Sequence, residues 1–197
     1  MTWFTILRQG HIDVAGARYD LGHLLASSFT LAIPASPKYP AVVATVRVEY
    51  TSHCVSFGPN DESVPFNFEV IGADRKIVDH RRVARAFCFD RHRWSLQLPA
   101  IIAQLQDQRC YFTGHSNWLV IEDIQDDGVT VEYEVFFRLR HIDANTLRLI
   151  IESAYVRDPA KERPGIPSKR RSIVRFRVMA AKTLRGEPIR DPNHNRR

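Results

Sequence analysis

Histidine, glutamate, tyrosine and arginine side chains in the second half of the chain could cleave a phosphodiester bond without a metal. Such a reaction needs a base for the ribose 2′-hydroxyl proton, an acid for the leaving oxygen and cations for the charge that develops on phosphate. The candidates for these roles are His115, His141, Glu152, Tyr155 and Arg175. A basic, β-rich chain can contain such a set by chance, so the fold must bring the residues together before they form a site.

Arginines alternate with apolar residues in three segments of the same half, "FFRLRH", "TLRLII" and "SIVRFRV". Successive side chains of a strand point to opposite faces, so the arginines of each segment would share one face. A guanidinium suits phosphate because it donates two parallel hydrogen bonds. The predicted nucleic-acid ligands are Arg138, Arg140, Arg148, Lys169, Arg170, Arg171 and Arg177. Alternatively, these arginines pair across strands with Glu132, Glu134 and Glu152 on an ordinary exposed face.

Two Cys/His pairs form an alternative, metal-binding constellation. Tetrahedral zinc accepts thiolate and imidazole ligands, although established zinc signatures more often have two-residue gaps. The four candidate ligands are Cys88, His92, Cys110 and His115. Buried core cysteines are the more common explanation, so we expect no cofactor and keep zinc as the alternative. Cys54 is a poor nucleophile candidate because the adjacent His53 would point to the opposite face of a strand.

Positive charge is concentrated at the C-terminal end of the chain. Residues 151–197 hold 13 Lys/Arg and 5 Asp/Glu, a balance of +8, so residues 1–150 carry −2 within the total of +6. Clustered cations release counterions from a phosphate backbone, whereas interspersed cations mainly solvate a surface. This asymmetry favours a nucleic acid as partner, RNA before DNA, with an acidic protein as an alternative.

The elements that must position these side chains are a helix followed by strands. Four apolar residues recur at the spacing of one helical face: Leu98, Ile101, Ile102 and Leu105. Period-two patterns after Arg109 predict four strands, the last being "SIVRFRVMAAKTL". We therefore predict an α+β fold in which an antiparallel sheet of four or more strands packs against one main helix.

The rest of the chain divides around this unit. We predict a β-rich N-terminal region over residues 1–94, within the same domain as residues 95–185, and a basic tail over 186–197. Within the N-terminal region, "TWFTIL" predicts a strand. We also predict a helical stripe, formed by Leu21, Leu24, Leu25 and Phe29.

The predicted order of elements is a helix followed by four strands, and consecutive strands carry "FFRLRH", "IIESAYVRD" and "KRRSIVRFRV". This arrangement resembles the barnase, EndoU, colicin and RelE-type ribonuclease fold of bacterial toxins and phage effectors. The resemblance covers residues 95–185 and includes no diagnostic motif. It implies RNA cleavage by His115 or His141, supported by arginines and Tyr155. The long region before residue 95 departs from the compact members of that group.

The remaining features restrict the class of protein. No apolar run approaches the roughly 18 residues that span a bilayer, and "MTWFTILRQGHIDV" lacks a secretory pattern. Three cysteines in a chain of this length argue against a disulfide framework. We expect a cytoplasmic protein without membrane contact that acts on nucleic acid, as a metal-independent endoribonuclease. The alternatives are a non-catalytic nucleic-acid-binding or regulatory module, with or without zinc, and a component that docks an acidic protein.

Overall fold

The computed structural model describes residues 1–59, 66–113, 118–126, 128–157 and 173–189. The helices are α1 (Trp3–Gln9), α2 (Phe68–Ile71), α3 (Phe89–Ser95), α4 (Leu98–Gln104) and α5 (Phe176–Leu184). The strands are β1 (His11–Val14), β2 (Ala17–Asp20), β3 (Ser27–Ile33), β4 (Val42–Tyr50), β5 (Ser56–Phe57), β6 (Lys76–Val78), β7 (Ala84–Phe87), β8 (Arg109–Phe112), β9 (Trp118–Asp126), β10 (Val129–Asp143), β11 (Thr146–Val156) and β12 (Ile173–Arg175). Within these ranges, no helix has the length and apolar character needed to cross a membrane.

A seven-stranded sheet in the order β12-β8-β9-β10-β11-β4-β3 is the largest element of the fold. All neighbouring strands are antiparallel except β11 and β4, which run parallel. β3 and β4 come from the first 94 residues, whereas the other five strands follow residue 108. The N-terminal region and the C-terminal region therefore contribute to one sheet.

Helix α5 lies inside the curve of this sheet. It contacts β10 and β11 in the centre and also β12 and β3, the two strands at the ends of the sheet. The buried Phe176 ring lies 6.0 Å from the Phe137 ring of β10 and 6.4 Å from the Phe29 ring of β3. The sheet is therefore curled around α5, and Phe176 joins its centre to one of its edges.

The predicted fold class is wrong on two counts. The sheet is mixed and curled, because β11 takes a parallel neighbour from the N-terminal region. The helix inside it is α5, which lies in a segment predicted to be a strand. "VRFRV" has a period of two, but Phe176, Met179 and Ala180 are all buried at helical spacing and are followed by good helix formers.

The predicted helix near residue 100 is present, but it lies elsewhere in the fold. α4 spans Leu98–Gln104, with Pro99 in its first turn, and its apolar stripe is buried. A short 3-10 turn, Leu105–Asp107, continues it. α5 contacts this turn, while α4 itself packs near the turn Gly22–Leu24. The periodicity predicted the helix correctly but not its packing partner.

Two predictions for the first 33 residues are wrong. "TWFTIL" forms α1, because the Thr2 side chain accepts a hydrogen bond from the Thr5 N–H and Gly10 ends the helix at a φ of 75°. The expected stripe of Leu21, Leu24, Leu25 and Phe29 is split between a 3-10 turn and β3. Local capping and strand pairing outweigh a weak periodic pattern in these segments.

A second, three-stranded sheet, β5-β7-β6, is held together from within by Arg85 and is connected to the large sheet by Arg91. Arg85, only 7% exposed, donates from Nε to the Ser56 hydroxyl and from Nη2 to the Ser56 carbonyl. Arg91 of α3 donates to the same carbonyl at 2.7 Å and to that of His53 at 3.3 Å. Its guanidinium also lies 5.2 Å from the Tyr155 ring of β11. Arg91 therefore contacts both sheets.

We expect Phe176→Ala to lower the free energy of unfolding by about 3–5 kcal/mol, since it removes a fully buried ring from the centre of the core. Urea denaturation measures the change. Val178→Ala is the matched control on the same helix, because Val178 is 47% exposed, and its effect should stay within about 0.5 kcal/mol. Equal effects of the two substitutions would show that α5 does not pack as described.

Candidate nucleic-acid interface

Three arginines lie in register across three adjacent strands on the outer face of the sheet. Arg140 of β10 is opposite Arg148 of β11, which is opposite Arg47 of β4. Arg47 and Arg140 are exposed, and Arg148 is partly exposed. Neighbouring strands are about 4.8 Å apart, so the three residues form a band of positive charge roughly 10 Å wide at the backbone. We call these three residues the arginine row.

Carboxylates lie among the cations of this face. Arg148 forms a bidentate pair with Glu49 of β4, with Nε 2.9 Å from Oε1. Arg138 lies 2.8 Å from Glu152. These contacts are cross-strand ion pairs of the kind expected under the alternative interpretation. Glu49 was not one of the carboxylates named for those pairs. The pairs neutralise part of the face, whereas the exposed ends of the row at Arg47 and Arg140 have no side-chain ion pair with another described residue.

An aromatic pair lies farther along the same face. The Phe136 and Tyr155 rings are stacked, with centroids 5.6 Å apart and an interplanar angle of 24°. Both side chains are partly exposed. Phe136 is four residues from Arg140 on β10, about 13 Å at the usual rise of a strand. Tyr155 was predicted to assist catalysis, and the contacts of its ring include Phe136 and the guanidinium of Arg91.

A bulge separates the aromatic pair from the arginine row. In the β10–β11 register, Phe136 is opposite Ser153 and Phe137 is opposite Ile151, which leaves Glu152 without an opposite residue. A residue inserted in this way bends the strand and increases its twist. The bulge also places Glu152 beside Arg138.

The structure does not bring the predicted catalytic residues together. His141 is exposed at the end of β10, opposite Leu147, and Tyr155 is eight residues farther along β11 on the other face. That separation is about 26 Å along the strand. Arg175 lies on β12, opposite Arg109 and three strands away from β10. His115 lies outside the described residues, as do Lys169, Arg170 and Arg171.

Arg177 does not share a strand face with Arg175, contrary to the prediction. The strand ends at Arg175 and α5 begins at the next residue, so the two side chains do not alternate along one strand. Arg177 instead lies 3.1 Å from Asp107 and hydrogen-bonds to Gln106. It therefore helps to attach α5 to the 3-10 turn that follows α4.

The cysteines occupy separate positions. Cys88 immediately precedes α3, Cys110 is buried in β8, and His92 contacts the Asp20 carbonyl at 2.8 Å. No three histidine, cysteine or acidic side chains in the described ranges are arranged to hold a metal ion. Burial raises the pKa of Cys110 to about 12.

Cys54 is also fully buried, with Sγ 3.8 Å from the Ile151 carbonyl. Burial raises its pKa to about 12. The His53 ring lies 3.4 Å from the Asp79 carboxylate. The thiol is therefore protonated at neutral pH and unsuited to nucleophilic attack.

The residues predicted for this face did not include Arg47, Glu49 or Phe136. The segment "TVRVEY" has the same alternation of charged and apolar residues as the arginine segments near the C-terminus. That signal was available, but nothing in the sequence alone indicated that β4 would pair with β11. Without this pairing, Arg47 lacks any visible relation to Arg148.

A comparison with protein families gives a match that spans the fold just described. A sequence model of the YjaZ family matches residues 11–184, from β1 to the end of α5. The chain belongs to the YjaZ family. The family match covers every residue of the arginine row and of the aromatic pair. No curated protein and no solved structure matches the chain.

The expected resemblance to the toxin-type ribonuclease fold stays a prediction. Of the segments that carry it, "FFRLRH" and "IIESAYV" lie on the neighbouring strands β10 and β11. "IVRFRV" instead passes from β12 into α5. The match to the YjaZ family also extends across residues 11–94, which the resemblance does not cover.

We expect one thiol of the native protein to react readily with a thiol-specific dye at pH 8 and three to react after denaturation. Cys88 is partly exposed, whereas burial protects Cys54 and Cys110 and keeps them protonated. Cys88→Ser should abolish the rapid native reaction. Two or more rapidly reacting thiols would contradict the buried positions of Cys54 and Cys110.

Proposed function

We propose that this protein binds single-stranded nucleic acid, RNA in preference to DNA, on the outer face of β4, β11 and β10. The arginine row is the observation that carries this function, because three arginines are in register on adjacent strands. Phosphate oxygens would bind to the exposed Arg47 and Arg140, with Arg148 between them. Binding by these groups requires no metal or cofactor.

The energetic cost of the row supports a polyanion as its partner. Like charges directly opposite one another destabilise a sheet. Glu49 offsets the charge of Arg148, but Arg47 and Arg140 add two further cations in the same register. A phosphate backbone would offset this repulsion and release its own counterions.

The aromatic pair supports single strands over duplexes. Unpaired bases stack on aromatic side chains, and such stacking tolerates many sequences. Phe136 and Tyr155 are partly exposed on the same face as the row. Carboxylates near the row could accept a hydrogen bond from a ribose 2′-hydroxyl, which DNA lacks, and this favours RNA. Glu49 and Glu152 occupy such positions.

Nucleic-acid cleavage receives less support than binding. Its expected acid, base and phosphate ligands include His141, Tyr155 and Arg175, which lie on different parts of the sheet. Docking of an acidic protein uses the same cations but gives no role to the stacked rings. We place the activity in the cytoplasm, since the three cysteines form no disulfide with one another.

We expect Arg47→Gln and Arg140→Gln each to weaken binding of a short, mixed-sequence, single-stranded RNA about tenfold, by removing one charged hydrogen-bond donor. Fluorescence anisotropy over a range of salt concentrations measures both the affinity and its salt dependence. Each substitution should also reduce the slope of log K against log salt by about 0.7.

Arg18→Gln is the matched control, since Arg18 is an exposed arginine of the β1–β2 hairpin that pairs with Asp13. It should leave affinity and slope unchanged. Incubation of the same RNA with the protein in EDTA reports any cleavage. Affinity that is independent of salt, or equally weakened by all three substitutions, would contradict binding at the arginine row.

We expect Glu49→Gln to strengthen RNA binding about threefold to tenfold and to steepen the salt dependence, because it releases Arg148 from its bidentate partner. If this face contributed only to folding, Glu49→Gln would not increase the affinity for RNA. Urea denaturation of the same variant shows whether the exposed ion pair contributes to stability, and we expect a loss of about 1 kcal/mol or less. Weaker binding by Glu49→Gln would contradict the proposed role of Arg148.

A further inference from the structure

Strand β3 is one end of the seven-stranded sheet and pairs only with β4 within the described residues. Its sequence, "SSFTLAI", has seven residues and contains neither a charged residue nor proline. Its register with β4 runs without interruption from Ser27 to Ile33. Proteins usually protect such an edge with charge, proline or a bulge, because its backbone groups can pair with another strand. None of these devices occurs in β3.

The residues of β3 are complementary to a second copy of the same strand. Antiparallel pairing about Thr30 would place Thr30 opposite its own copy and Phe29 opposite Leu31. Phe29, Leu31 and Ile33 alternate with exposed residues and face the core side of the sheet. On the core face Phe29 would thus meet Leu31 and Ile33 would meet Ser27, while serine, threonine and alanine would meet on the other face. Pairing about Phe29 would instead place Ala32 and Ile33 opposite residues that precede β3, and pairing about Leu31 would place Ser27 and Ser28 opposite residues that follow it.

Exposed apolar residues flank this edge. Leu25 precedes β3 and is 47% exposed, and Val43 on the adjoining strand is 64% exposed. Val43 is in register with Ala32, on the outer face. A second subunit beside β3 would cover part of this surface, which adds to the area that a stable dimer needs.

We infer that two copies of this chain associate through β3 in an antiparallel, two-fold symmetric pair that joins their sheets. A second copy fits better than a charged peptide because the edge strand is neutral and self-complementary about Thr30. An isologous contact of this kind closes on itself and does not lead to filaments. The dimer does not depend on nucleic-acid binding, but it would place the arginine rows of both subunits on the same side of one continuous sheet.

Substitutions that introduce a charge at the symmetry axis test whether the dimer forms. Thr30 is exposed on the outer face, so Thr30→Lys and Thr30→Glu leave the core intact but place like charges opposite each other in the dimer. Sedimentation equilibrium should give the dimer mass for the unaltered chain and half that mass for each variant. A mixture of the two variants should recover the dimer mass. Thr45→Lys, on the strand next to Thr30, is the control and should remain dimeric.

Disulfide formation tests the register. Residues opposite each other in an antiparallel pair have Cα atoms about 4.5–5.5 Å apart, within the range for a disulfide. In a Cys88→Ser background, Thr30→Cys should give a covalent dimer on mild oxidation. Ser28→Cys should not, since the two copies would be offset by four residues, about 13 Å. A chain that is monomeric up to its solubility limit, or a dimer that is insensitive to charge at Thr30, overturns the inference.

Discussion

The parallel pairing of β11 with β4 determines most of the arrangement described above. It joins the strand pair β3–β4 to the hairpin β10–β11, which is separated from it in sequence by the 78 residues 51–128. It brings Arg47 beside Arg148 and leaves β3 at an edge of the sheet. Parallel neighbours cannot be joined by a tight turn, so a long connection is required. Here that connection contains the small sheet and helices α2 to α4.

The packing inside the curve and the contacts at its margin stabilise the sheet in different ways. Phe176 fills space between β10 and β3 and acts through apolar burial. Arg85 and Arg91 act through hydrogen bonds to Ser56 and His53, where β4 has ended and the chain turns away from the large sheet. Backbone carbonyls in this turn would be costly to bury without donors. The two arginines supply these donors, and Arg91 also connects the small sheet to β11.

The sequence predicted local structure better than pairing. Strands β10 and β11 and the helix at Leu98 follow from their periodicity, because burial repeats every two residues in a strand and every three to four in a helix. The single strand predicted from Cys110 to Ile124 is instead two antiparallel strands, β8 and β9. The sequence wrongly predicted a strand at Phe176, where a short strand passes directly into a helix and the two periodic patterns overlap. The cations of β10 and β11 were identified from alternation. Arg47 and Glu49 were missed, since their place depends on a contact between residues about 100 positions apart.

The bulge at Glu152 also affects how the chain can vary in length. Ser153, Ala154 and Tyr155 keep the faces they would have if they followed Ile151 directly, because the extra residue is accommodated outside the register. A homologous chain with one residue fewer at this point would therefore bury the same side chains and retain the same partners on β10. It would differ in the bend of β11, and hence in the angle between the stacked rings and the cations. The extra residue of the bulge thus sets the shape of this surface without altering the core beneath it.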